Sequence, residues 1–329
     1  MNTRRRIVLA LGAGALAVPL ALLAQPLTTR APRIGWLVTG SPATHGISLA
    51  AFRDGLQKLG YVEGRNITIE YRWAEGNLDR IPGLVTDLVQ QQVDVILAGG
   101  TSVAVAAKNA TRVIPIVMAG VGDPIEVGLI TSLARPGGNM TGFVATTPDV
   151  AGKRLQILKE IMPRITRVAV LWNPTSTIAQ REWKIVKEAA SILRLTLTFH
   201  EARTLKELEN ALLAVPKTRP DSMIVLNDAF VFTYRKNIAE FAARARLPAV
   251  YGFREFVDAG GLISYGANIS DTYRRAATYV DKILKGARPG DLPVELPRIF
   301  ELMINMKTAK TLGIKIPNSI LLRADELID

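Results

Sequence analysis

The residues best placed to do chemistry lie in the stretch Val93 to Lys108, VDVILAGGTSVAVAAK. Val93 to Ala98 is a short apolar run rich in β-branched residues, the pattern of a strand buried on both faces. From Thr101 the chain is alanine-rich and helix-forming, and Gly99-Gly100 make the turn between the two. A strand, a glycine turn and a helix opening on Thr101-Ser102 leave unpaired backbone N–H groups beyond the strand's carboxyl end. That is a seat for a carboxylate or another small anion. The alternative is that Thr101 only caps the helix and the glycines only turn the chain. Catalytic chemistry has less support. No G-x-S-x-G elbow, Walker sequence or H-E-x-x-H occurs, and the two histidines, His45 and His200, are far apart and outside any metal-binding spacing. A carboxylate pair such as Asp123 and Asp228 would do acid–base work only at short separation. Absence of cysteine excludes disulfides, thiolate metal sites and a lipidated cysteine anchor. No metal and no cofactor is expected.

Before any element is placed, the first 24 residues are set aside. Arg4-Arg5-Arg6 precedes an apolar run from Ile7 to Ala24, then Gln25-Pro26, which is the order of a secretory signal peptide. The run is short for a membrane span of ~20 apolar residues. Residues 3–9 also resemble a twin-arginine signal. Removing the leader's three arginines, with no acid, takes the formal charge from +12 to +9. The basic residues are scattered and not interleaved with stacking aromatics, so a solvated basic surface is expected, with no nucleic acid as partner. With 329 residues, 48% hydrophobic and 21% charged, the full chain is of globular composition and long enough for two lobes.

The elements that must position the anion seat repeat along the chain. Strand Ile34 to Val38 leaves into the loop 39–45, and a helix runs to Leu59. Strand Asn66 to Trp73, helix Leu78 to Gln91 and the opening stretch follow. Strand Ile114 to Met118, its exit loop 120–124 and a short helix to Leu133 complete the first half. The second half repeats the pattern with strands at Arg167 to Trp172, Thr196 to Phe199, Ser222 to Leu226, Ala249 to Tyr251 and Leu262 to Tyr265. Helices Ile178 to Leu193, Leu205 to Ala214 and Tyr234 to Arg246 lie between them. The expected architecture is α/β, two similar lobes, each a parallel sheet flanked by helices. In such sheets ligands bind beyond the carboxyl ends of the strands. A late helix, Asp271 to Lys285, and a late strand, Phe300 to Met306, would cross back between lobes and make a multi-strand hinge. The expected division is residues 33–143 with 267–295 in one lobe and 144–266 with 296–329 in the other.

Several long runs then bear a family likeness. They are Gly55-Leu56, Leu59-Gly60-Tyr61-Val62-Glu63-Gly64-Arg65-Asn66, Glu70-Tyr71-Arg72-Trp73-Ala74-Glu75-Gly76 and Ser132-Leu133-Ala134-Arg135-Pro136-Gly137-Gly138-Asn139. Tyr251-Gly252-Phe253-Arg254-Glu255-Phe256, Gly260-Gly261-Leu262-Ile263-Ser264-Tyr265-Gly266 and Ile320-Leu321-Leu322-Arg323-Ala324-Asp325-Glu326 continue it. From Arg33 to Asp329 the chain resembles ABC-transporter substrate-binding proteins of the tryptophan and aromatic amino-acid type, with the type I periplasmic binding fold. The resemblance implies a periplasmic receptor that closes on a small solute and delivers it to a membrane permease driven by a separate ATPase; the absence of cysteine makes it a non-lipidated one. Ser102 departs from the family pattern, in which proline is usual, and adds a hydroxyl and an N–H at the helix start.

An α-amino acid needs an anion seat, a counter-charge for its ammonium and an apolar slot. Thr101 and Ser102, with Ser41 opposite, are the candidates for the seat. Asp123 and Asp228 are the candidates for the ammonium; Asp228 is preferred at its strand exit, because Asp123 precedes a proline and equally suits a helix cap. Phe230, Tyr251 and Phe253, with Tyr265 at the hinge, are candidates for the slot or for plain core. Asn173 either bonds a ligand or steadies its own turn before Pro174. The expected function is a monomeric, non-catalytic receptor for an aromatic or branched amino acid or a related carboxylate. The alternative is a periplasmic sensing domain that partners a membrane signalling protein, and an α/β hydrolytic enzyme ranks below it.

Overall fold

A computed structural model of the chain describes residues 30–145 and 149–329. The leader proposed for residues 1–24 lies outside the described residues. The first run of elements is β1 (Arg33–Val38), α1 (Pro42–Lys58), β2 (Thr68–Trp73), α2 (Ile81–Gln90), β3 (Val95–Gly99), α3 (Thr101–Ala110), β4 (Ile116–Val121) and β5 (Met140–Val144). The second is α4 (Asp149–Ile161), β6 (Arg167–Trp172), α5 (Thr177–Ile192), β7 (Thr196–Glu201), α6 (Leu205–Ala214), β8 (Ser222–Val225), α7 (Ala229–Thr233), α8 (Arg235–Arg244), β9 (Ala249–Tyr251), α9 (Arg254–Asp258) and β10 (Ile263–Ala267). Then α10 (Ile269–Leu284), β11 (Phe300–Asn305), α11 (Met306–Leu312), α12 (Asn318–Leu321) and β12 (Glu326–Ile328) close the chain.

The strands form two sheets, ordered β2-β1-β3-β4-β5 and β12-β11-β10-β9-β8-β6-β7. Every pairing is parallel except β10 with β11, whose strand arrives from the other lobe and so runs antiparallel. Sequence order reverses beside β1 and β3 in one sheet and beside β6 and β8 in the other. The crevice beyond a parallel sheet's carboxyl edge opens at such points.

Alternation along the strands sends neighbouring side chains to opposite faces. Leu37, Ile96 and Met118 pack with Val85, Leu88, Val103 and Ala107 of α2 and α3, while Trp36, Leu97 and Val117 pack with Phe52 of α1 and Ala276 and Val280 of α10. Central strands buried on both faces therefore read as unbroken apolar runs, which is why β3 was legible. The core that holds Trp36 and Phe52 continues through Phe230, Phe232, Tyr251 and Phe253 of the second lobe. The far face of the second sheet packs separately around Leu155, Val170, Val186 and Ile304. The chain passes between sheets after β5, after β10 and before β11, and the Asn268 N–H donates to the Ile299 carbonyl at 3.1 Å to tie two of these passages.

Two elements differ from expectation. No helix forms between Pro124 and Leu133. The segment is a run of turns in which the Pro124 carbonyl accepts from the Leu129 and Ile130 N–H groups, and Gly128 takes a positive φ of 68°. A helix needs a longer uninterrupted segment than Pro124 and Gly128 leave. Conversely, α1 starts at Pro42 and not after His45, because proline at the first helical position loses only an N–H that has no helical partner. That start places His45 and Ser48 on the helix face that also carries Phe52.

Candidate functional site: the cleft between the sheets

Loops from both sheets converge on a cavity of about 450 Å³. One wall comes from the first lobe. Gly100 leaves β3 with a φ of +95°, a conformation that L side chains rarely adopt, and aims the chain into α3. No side chain caps α3. Its first-turn N–H groups are therefore free for a ligand, and Thr101 and Ser102 both line the cavity. The Thr101 hydroxyl accepts from the Gly122 N–H at 2.9 Å, which joins the start of α3 to the loop after β4 and leaves the hydroxyl hydrogen to donate. Thr101 therefore does not cap its helix: the N-cap is Gly100, and the Thr101 hydroxyl braces the loop after β4 instead.

The facing wall comes from the second lobe. Asp228 is the N-cap of α7, and its Oδ1 accepts from the N–H groups of Phe230 at 2.8 Å and Val231 at 3.1 Å and from Asn173 Nδ2 at 3.4 Å. Burial pushes the Asp228 carboxyl up from the usual range, against the pull of those hydrogen bonds. Asn173 braces its own turn as well: its Oδ1 accepts from the Thr175 N–H at 3.0 Å and hydroxyl at 2.8 Å. Both Asn173 and Asp228 line the cavity, with Phe230 and Phe253. The walls nearly touch, since a Cβ added at Gly100 would sit 3.7 Å from that of Ala229.

The loop bearing Asp228 is fixed from beneath. Arg154 on α4 and Glu182 on α5 form an ion pair with both side chains fully buried, at 3.0 and 3.1 Å. Glu182 Oε2 also accepts from the Asn227 N–H at 2.7 Å, and Arg154 Nε donates to the Tyr265 carbonyl on β10 at 2.9 Å. A pair desolvated this far holds only because each remaining polar atom has a partner.

Four expected residues stand elsewhere. Ser41 begins α1, where its N–H donates to the Thr44 hydroxyl at 2.8 Å. Asp123 accepts from the Ile125 and Glu126 N–H groups at 2.8 and 2.9 Å and pairs with Arg181 at 2.6 Å, so it shapes the turn after β4 and the rim of the cleft. Tyr251 is wholly buried, stacked on Phe256 at 4.6 Å, because successive β9 residues face opposite sides of the sheet. Tyr265 packs on the far-face core of the second sheet.

Other lining residues were not singled out from the sequence. His45 and Ser48 enter from α1, Phe232 from α7, and Ile269 and Tyr273 from α10. The 45, 48, 52 spacing put two polar groups on the buried face of α1, which was a legible signal. Burial, then the nearby charge of Arg235, pushes His45 down to about 4, so its imidazole is neutral near pH 7. Among the described residues the lining contains no Lys or Arg, and Asp228 is its one acidic residue. The cleft is therefore a mostly apolar chamber with one carboxylate and one uncapped helix start, suited to a small zwitterion with an apolar body.

Among the described residues no helix is long and apolar enough to cross a membrane. Comparison with known proteins gives a consistent result. The chain is 27% identical over 266 residues to a tyrosine-binding protein of Clostridioides difficile (strain R20291), covering 80% of this chain and 76% of that one. A conserved domain protein of Vibrio cholerae O1 biovar El Tor superposes with a TM-score of 0.84 at 27% identity, over 91% of this chain and all of that one. The ABC domain in complex with L-Trp from Streptococcus pneumonia superposes with a TM-score of 0.81 at 25% identity, over 90% of this chain and all of that one. The family model for ABC transporter substrate binding proteins matches residues 43–328. With two α/β lobes, a cleft between them and that match over most of its length, the chain belongs to the ABC transporter substrate-binding protein family, whose members bind solutes and are not enzymes.

Proposed function

We propose that this chain is the receptor of an ABC importer, exported to the periplasm on its N-terminal leader, which captures an amino acid with an aromatic side chain and delivers it to a permease and its ATPase. The observation that carries this reading is the opposition of the uncapped α3 start and the Asp228 carboxylate across a near-contact of the two lobes. An α-carboxylate and an α-ammonium sit one carbon apart, so only walls this close hold both. Phe230, Phe232, Phe253 and Tyr273 supply apolar surface for a ring. The tyrosine-binding relative and the L-Trp-bound neighbour support the same solute class.

The test is a thermal-shift screen of the purified protein against amino acids, small carboxylates, nucleobases and sugars, followed by calorimetry. A ligand at ~100 times its dissociation constant adds about 2.7 kcal/mol to the folded state. A shift confined to aromatic amino acids is the expected outcome, and a shift with sugars or nucleobases alone would overturn the assignment. Asp228→Ala should abolish amino-acid binding while the variant still melts cooperatively. Because Asp228 must be ionised to meet an ammonium and burial raises its pKa, wild-type affinity should fall as pH is lowered.

A further inference from the structure

We propose that His45 is the specificity-determining residue of the cleft, and that it reads a hydroxyl on the ligand's ring, so that the protein selects a tyrosine-like solute over phenylalanine. The inference rests on the amino-acid reading above and adds to it the chemistry of the ring.

The geometry around His45 leaves one polar atom for a ligand. Its Nδ1 lies 3.0 Å from the Thr44 hydroxyl, and the Nδ1 and Cε1 edge of the ring packs over Gly40. The ring meets Phe232 edge-on at 5.4 Å, and Phe232 meets Phe253 at 5.5 Å, so His45 stands at the end of the aromatic wall. The Arg235 guanidinium lies over the Phe232 ring at 4.7 Å and donates to the carbonyls of Phe232 at 3.0 Å and Thr44 at 2.8 Å. It thereby holds the first turn of α1 in place, while burial and, less strongly, its charge keep a proton off the imidazole. Among the described residues His45 Nε2 has no hydrogen-bond partner and is not sealed from the cavity, which the residue lines.

A neutral imidazole with one committed nitrogen offers one hydrogen-bonding site. If the Thr44 hydroxyl donates to Nδ1, Nε2 carries the proton and donates; if it accepts from Nδ1–H, Nε2 accepts. A phenolic hydroxyl donates or accepts and meets either tautomer. An indole N–H meets only the second, and a phenyl ring meets neither and leaves Nε2 desolvated without a partner. An unpaired group in so dry a place discriminates strongly.

Calorimetric titration of wild type, His45→Leu and His45→Gln with L-tyrosine, L-tryptophan and L-phenylalanine tests the idea. Wild type should bind tyrosine about 10-fold or more tightly than phenylalanine. In His45→Leu that preference should collapse, with tyrosine weakened and phenylalanine unchanged or tightened. His45→Gln, whose amide ends near the Nε2 position, should keep part of the preference. Thermal melts confirm that each variant is folded. Equal loss for both ligands in His45→Leu, or a wild type that holds phenylalanine as tightly as tyrosine, would overturn the role of His45 and leave the amino-acid reading intact. A wild type that binds none of the three, while binding another solute class, would overturn both.

Discussion

At the scale of single residues, two buried ionisable groups near the cleft oppose each other in their effect on stability. Burial pushes the Glu255 carboxyl up to about 7, with Asp258 and Glu301 adding to the shift and Arg235 opposing it, and its Oε2 has no hydrogen-bond partner. Its folded form holds a proton that the unfolded chain releases above the ordinary value of 4.5, so its contribution to stability is lost as pH rises from 4.5 to 7. His45 runs the other way. Its folded pKa of about 4 lies below the unfolded 6.5, so the unfolded chain binds more protons in that window and stability is lost as pH falls through it. Each effect is worth about 3 kcal/mol at most. Between pH 4.5 and 6.5 they nearly cancel, and wild-type stability should be flat in pH as far as these two groups decide it. Glu255→Gln removes one side of the balance. Its melting temperature should rise steadily with pH across that window and exceed the wild-type value at pH 8, which a pH series of thermal melts checks.

At the scale of elements, the loop that carries Asp228 depends on two buried side chains, on α4 and α5, that stand outside the cavity lining. Arg154 of α4 and Glu182 of α5 bind each other, the Asn227 N–H and the Tyr265 carbonyl, and so lock β8's exit to β10. Glu182→Leu strands a buried guanidinium and should cost ~3–5 kcal/mol of stability. The double variant Arg154→Met, Glu182→Leu removes both charges and should regain most of that loss in urea denaturation. It still leaves the Asn227 N–H without its acceptor, so ligand affinity should remain weakened. Recovery of affinity together with stability would show that the pair only fills the core.

At the scale of the whole molecule, the lobes meet at the rim of the cleft. Arg181 of α5 reaches across to Asp123 at 2.6 Å and Glu126 at 2.6 Å. Beside it a Cβ at Gly122 would lie 2.5 Å from Ile178 Cγ1, so the closed arrangement needs glycine there. Arg181 is about one-third exposed and Glu126 nearly half, so the pairs are worth about 0–1 kcal/mol each. They bear on how long the cleft stays shut more than on whether it shuts. Arg181→Met should raise the ligand dissociation rate up to about 5-fold and change the association rate little, by stopped-flow fluorescence. High salt should move wild type in the same direction.

Periodicity and punctuation determined most of the architecture, because each depends on local chemistry. The apolar run into Gly99-Gly100 specified β3, its turn and the start of α3, and the strand exits before Asn173 and Asp228 were readable for the same reason. Local signals also misled. Proline was compatible with a helix at Pro42 and, with Gly128, broke the one expected before Leu133, and β5 and α4 were not foreseen around the turn at Arg135 to Asn139. What only the tertiary structure decided is which side chains face one another. Asp123 and Asp228 both follow strands, yet one is held at the rim by Arg181 and the other lies half-buried on the cavity wall. Tyr251 belongs to the core and Tyr273, 235 residues beyond the end of β1 in sequence, comes to the cleft on a helix that crosses back to the first lobe. His45 acquires its neutral imidazole from the burial and the distant Arg235 that the closed lobes bring to it. Such properties arise from desolvation and from contacts between segments far apart in the chain, and no local pattern encodes them.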